Sequence, residues 1–163
     1  MVERKFANFA LKVVVTHTVT YFVVGAIAYQ LLTKPLYIGE KAIMATFMRT
    51  EDEPELWRHV MVWFFPAQIL RGLLMALALF PFLDTLISWN WKKRFLVIAG
   101  IYIIFGFWAS AVAAPGTIEG FVYLRPEFTP SIHLTVQPEI VVQGLLMSSW
   151  LAHWVRPHPQ PLS

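Results

Sequence analysis

The chain has 163 residues, of which 57% are hydrophobic, 15% aromatic and only 14% charged, with a mean hydropathy of +0.57. Soluble domains carry about a quarter charged residues, so this deficit points to a bilayer as solvent, and the length suits one folded domain. The net charge of +3 gathers at the ends of apolar segments and not in a stripe, which argues against a nucleic-acid surface. Zero cysteines exclude disulfides, thiolate zinc sites, iron–sulfur clusters and thiol catalysis.

The first apolar segment covers about residues 8–32. It follows a basic flank of Arg4, Lys5 and Lys12, is too long for a signal-peptide core and lacks a small-residue cleavage site, so it reads as a retained span. The mixed-charge loop 33–56 contains Leu36 to Met48, an apolar stretch with Glu40 and Lys41 embedded. It reads as a short interfacial helix or an extension of the first span. The second segment, 57–82, carries Pro66, where a kink would open space beside Gln68. Lys92, Lys93 and Arg94, bracketed by Trp89 and Trp91 as interfacial anchors, lead into the third segment, 95–114. The loop 114–137 holds Pro115, Gly116, Gly120, Pro126 and Pro130 among apolar residues and predicts a folded cap. The fourth segment, 138–155, is followed by Arg156 and a Pro-rich tail, 157–163, that reads as extended and mobile.

A span needs about 20 helical residues, and the alternation of a barrel is absent. The sequence therefore predicts an all-α fold, a four-helix transmembrane bundle in a single domain, 1–156, with the lipid bilayer as its main partner. The bias of basic residues puts both termini in the cytoplasm and the loops 33–56 and 114–137 outside, as in a bacterial inner (plasma) membrane.

Arg71 is the unusual residue. A guanidinium at mid-membrane costs from about 3 to more than 10 kcal/mol unless it finds a partner, a cavity or water. At 1.5 Å per residue His17 lies about 14 Å deep, Arg71 about 16 Å deep, and Tyr102 and Gln143 within about a turn of that level. Gln68 is one turn from Arg71 on the same face, and Glu139 continues the face of Gln143 outward. Each span thus contributes a polar group to one layer. The layer reads either as hydrogen-bonded glue or as an interior pocket in which Arg71 meets an anion. In the pocket reading Gln68, Gln143, His17 and Tyr102 orient the ligand, and Glu139 or Glu119 supplies counter-charge. Small residues suited to close helix contact are Gly72, Ala76, Ala99, Gly100, Gly106 and Ala113.

Other chemistry finds less support. His59 and His133, with Glu119, Glu127 and Glu139, supply metal-ligand types in the outer half, but no HExxH-like spacing joins them. No histidine matches His17 in depth for bis-histidine haem, and no cofactor is indicated. Ser148 and Ser149 near His153 lack an acid, so these serines read as bonding a carbonyl one turn back.

Three stretches resemble a group of uncharacterised bacterial multi-span membrane proteins. They are Ile69-Leu70-Arg71-Gly72, Ala114-Pro115-Gly116-Thr117-Ile118-Glu119-Gly120, and His133-Leu134 followed by Pro138-Glu139 and Gln143. The resemblance covers roughly 48–151, implies that Arg71, Glu119, His133 and Glu139 belong to the patterned part, and brings no known activity. The expected function is binding of a small anionic or lipid-like ligand. The alternatives are an accessory or scaffolding subunit, with protein partners or a second copy in the membrane, and an embedded enzyme with His17 as base beside Arg71.

Overall fold

A computed structural model describes residues 2–40 and 42–155, so Lys41, Arg156 and the tail 157–163 lie outside the described residues. Every regular element among the described residues is helical. Helix α1 spans Val2–Ala28, continues through a π-helical turn at Tyr29–Thr33 and ends in α2, Lys34–Tyr37. After a 3-10 turn at Ile43–Thr46, α3 spans Pro54–Leu79 and passes through Pro66 without a break, then runs by a 3-10 turn into α4, Leu83–Ser88. The third long helix begins as α5, Trp91–Ala99, and becomes π-helical over Gly100–Trp108. Two short helices, α6 (Ile118–Tyr123) and α7 (Pro130–Thr135), precede α8, Gln137–Trp154.

Two continuous helical stretches, Val2–Tyr37 and Pro54–Ser88, are long and apolar enough to cross a membrane. The other two are shorter. The 18 residues of α8 make about 27 Å at 1.5 Å per residue. The third helix differs from the expected 95–114 at both ends. Its start at Trp91 is set by Asn90, whose side chain accepts from the Lys93 N–H at 2.9 Å, so Lys92 to Arg94 form a first turn instead of a flank. Its end at Trp108 follows from widened i→i+5 bonding, as in Ala109 N–H to Ile104 O at 2.7 Å, and residues 109–114 are not helical.

Packing sets the order of the helices. Helix α1 packs on α3 along one side and on α8 along the other, and α8 packs on the third helix. No comparable packing joins α3 to the third helix, so the arrangement is open on that side. At one end a shared core closes it. Phe9, Ala10 and Val13 of α1 meet Ala76, Leu79, Leu83 and Leu86, then Ile98, Met147, Leu151 and Val155, all buried. Gly72 lets α1 and α3 touch, since a Cβ there would stand 2.9 Å from the Val14 Cα. Gly144 does the same for α8, where a Cβ would stand 2.5 Å from Ile103 Cγ1 and 2.9 Å from Tyr102 Cδ1. Gly100 and Gly106, expected at such contacts, are not in close packing.

The closed end also holds several basic residues. The Lys5 ammonium pairs with the Asp84 carboxylate. Lys12 Nζ donates to Trp154 O at 3.2 Å, and buried Arg94 donates to Val155 O. Both cations meet carbonyls at the C-terminus of α8, the negative end of its dipole. The opposite end carries a folded cap, as the apolar loop predicts. Thr117 caps α6 by accepting from the Gly120 N–H at 2.8 Å. Trp108 Nε1 donates to Gln137 Oε1 (2.7 Å), Gln137 Nε2 to Gly116 O (2.8 Å), and the Gly116 N–H to His133 Nδ1 (3.0 Å). Gly116 takes φ +92°, a left-handed conformation suited to glycine.

Candidate functional site

The mid-level polar layer forms, and its centre is His17. This side chain is fully buried, and its Nε2–H donates to Gln68 Oε1 at 3.2 Å, joining α1 to α3. Its ring also lies 6.4 Å from that of Tyr102 and 5.9 Å from that of Tyr21. Tyr102 packs against Gly144 of α8, the residue next to Gln143, which brings in α8. Four of the predicted residues, His17, Gln68, Tyr102 and Gln143, therefore meet as the depth argument expects.

The layer is not fully satisfied. In the neutral ring a proton on Nε2 leaves His17 Nδ1 as a bare acceptor, and this atom is buried without a partner. The Gln143 Nε2 donor, on a residue only 3% exposed, is likewise buried without one. Buried polar atoms are nearly always paired, so an orphan acceptor and an orphan donor at one level are informative. Thr18 and Ser148 hydroxyls are orphaned as well. Ser148 thus departs from the carbonyl bond expected of it, whereas Thr16 and Thr20 make such bonds, to Lys12 O at 2.8 Å and to Thr16 O at 2.7 Å.

Arg71 departs from expectation. The interior pocket requires it to point inward, but it is exposed. Gly72 holds the close contact with α1, and successive residues on a helix point about 100° apart, so Arg71 is rotated onto the flank of the packed stripe. That flank is the open side of the arrangement. Arg71 lies there within electrostatic reach of His17, Tyr21 and Tyr102, and no carboxylate pairs with it among the described residues. Exposed Arg71 thus sits at the surface beside the buried pair His17 and Gln68 and the half-buried rings of Tyr21 and Tyr102.

Glu139 stands in the first turn of α8, half-buried, with Oε1 3.5 Å from the position a Cβ on Gly25 would take. It acts electrostatically on Tyr21, Tyr37 and Tyr102. Tyr21, Tyr37 and Gly25 escape sequence reasoning, although Tyr21 at i+4 from His17 was a readable signal. Glu119 is not tied to this layer by any hydrogen bond or ion pair; it sits in the first turn of α6, in the cap. His59 is exposed beside Trp63, and His133 is buried in the cap, its ring 5.9 Å from Phe121. Among the described residues no three potential ligands gather to hold a metal.

Two surface cavities lie away from Arg71. One, of about 480 Å³, runs between α1 and α8 and is lined by Val19, Val23, Leu146, Ser149, Trp150 and His153 among others. The other, of about 290 Å³, lies in the cap beside Trp108, Phe121 and His133. No family model, no curated protein and no solved structure matches this chain.

Proposed function

We propose that this is a multi-pass membrane protein, both termini on the cytoplasmic side, whose exposed Arg71 takes the anionic group of an amphipathic ligand from the bilayer. Arg71 carries the reading. Exposed Leu70, Leu73, Leu74 and Leu77 surround it on α3, so in a bilayer this guanidinium faces hydrocarbon unless an anion reaches it. Ion pairing with a carboxylate or phosphate removes that cost, and Arg offers its planar fork for bidentate contact. The ligand approaches from the side on which α3 and the third helix are not packed together.

The test is native mass spectrometry of the detergent-purified chain with lysophosphatidic acid, oleate, neutral monoolein and inorganic phosphate. The parent should retain both anionic lipids over monoolein, Arg71→Lys should retain them weakly, and Arg71→Gln should lose the preference. Displacement of lysophosphatidic acid by inorganic phosphate marks the free anion as ligand, and its failure marks the lipid. Equal retention by the parent and Arg71→Gln overturns the proposal.

A further inference from the structure

The cap cavity carries one polar group that the fold does not use. Its volume is about 290 Å³, and its wall is chiefly Trp108, Ile118, Phe121 and Val122, with polar groups from the Gly116 turn, His133 and Gln137. Most of those polar groups are engaged with one another. Gln137 Oε1 accepts from Trp108 Nε1 at 2.7 Å, and Gln137 Nε2 donates to Gly116 O at 2.8 Å. The Thr117 hydroxyl accepts from the Gly120 N–H at 2.8 Å and donates to Ala114 O at 2.9 Å. His133 is the exception. Its Nδ1 accepts from the Gly116 N–H at 3.0 Å, which in the neutral ring puts the proton on Nε2. No hydrogen bond reaches that Nε2–H among the described residues, although His133 is only 7% exposed and lines the cavity. A donor held in so apolar a wall gains by finding an acceptor.

We infer that the cap cavity binds a flat, uncharged ring compound through one carbonyl, as in a quinone, which accepts from His133 Nε2–H. The lining decides each property. No acid, lysine or arginine stands in it, so a charged ligand finds no counter-ion there. The side-chain acceptors of Gln137 and Thr117 already hold protons, so a carbonyl suits the one open donor better than a ligand hydroxyl does. The Trp108 and Phe121 rings favour a flat ring, which they can stack on or meet edge-on. The exposed side chains of Ile118, Phe121 and Val122 form an apolar rim, so the ligand arrives from an apolar phase. Arg71 takes no part in this cavity, and the two sites stand or fall separately.

The experiment titrates the chain in detergent micelles with menadione and with 2-methylnaphthalene, which share a fused ring and a methyl group and differ in the carbonyls. Menadione forms no thioether here, because the chain has no cysteine. Binding is read by isothermal titration calorimetry against protein-free micelles, with far-UV circular dichroism as the folding check. The parent should prefer menadione by about tenfold, the value of one hydrogen bond to the carbonyl. His133→Asn keeps an acceptor at the Nδ1 position for Gly116 and removes the Nε2–H. It should erase that preference and leave 2-methylnaphthalene binding unchanged. Phe121→Leu replaces an exposed ring and should weaken both probes, which keeps the test open should His133→Asn misfold. No preference in the parent, or a preference that survives in His133→Asn, overturns the proposal. Binding of both probes unchanged in Phe121→Leu places them outside the cap and overturns it as well.

Discussion

The buried bond between His17 and Gln68 predicts an asymmetric double-mutant cycle. His17→Leu strands the Gln68 carbonyl but also removes His17 Nδ1, an orphan in the parent. Gln68→Leu strands Nε2 and keeps the orphan, leaving both ring nitrogens buried without partners. A stranded buried polar group costs about 1–3 kcal/mol. His17→Leu should therefore fall near about 1 kcal/mol and Gln68→Leu nearer about 3 kcal/mol. The double variant should lose less than the sum of the two, by about 0.6–2 kcal/mol, the range measured for hydrogen bonds between membrane helices. Reversible unfolding in mixed micelles, followed by far-UV circular dichroism, measures all three. Strict additivity, or a greater loss in His17→Leu than in Gln68→Leu, refutes the reasoning.

Three further perturbations probe the helical frame. Gly144→Leu drives a side chain into Ile103 and Tyr102 and should cost about 1–3 kcal/mol in the same unfolding assay, while parent-like stability would mean α8 and the third helix are not in contact there. Gly116→Ala meets both a positive φ and rigid neighbours, with a Cβ 2.8 Å from Phe107 Cζ and Val136 Cγ2. It should loosen the cap by about 1–3 kcal/mol, read as faster limited proteolysis within 109–136. Asn90→Ala removes the cap of α5 and should cost about 1 kcal/mol, seen as a lowered melting midpoint.

Much of the helical fold was legible because long apolar runs in a chain with so few charges leave helices as the economical solution. Level along the helices was legible too. A fixed rise per residue turns position into level, which is why His17, Gln68, Tyr102 and Gln143 could be grouped before any coordinates. Azimuth was not. Hydrophobic residues surround α3 on all sides, so no polar stripe reveals its phase, and the glycine beside Arg71 claimed the helix contact. The charges at 92–94 misled in a related way. A basic cluster reads as an interfacial flank, whereas Asn90 draws it into a helix and Arg94 turns inward to the end of α8. The widened turns over Gly100–Trp108 leave no signature in residue type, and the Glu139 surroundings are built from elements distant in sequence.

Photo-crosslinking bears most directly on the claim that the exposed guanidinium marks a lipid-accessible binding site. A fatty acid carrying a mid-chain diazirine, irradiated with the chain in liposomes, should leave adducts on Phe64, Tyr21 and Tyr102, and Arg71→Gln should abolish them. Adducts confined to the Val19 to Trp150 cavity or spread evenly over α3, unchanged in Arg71→Gln, would contradict the account.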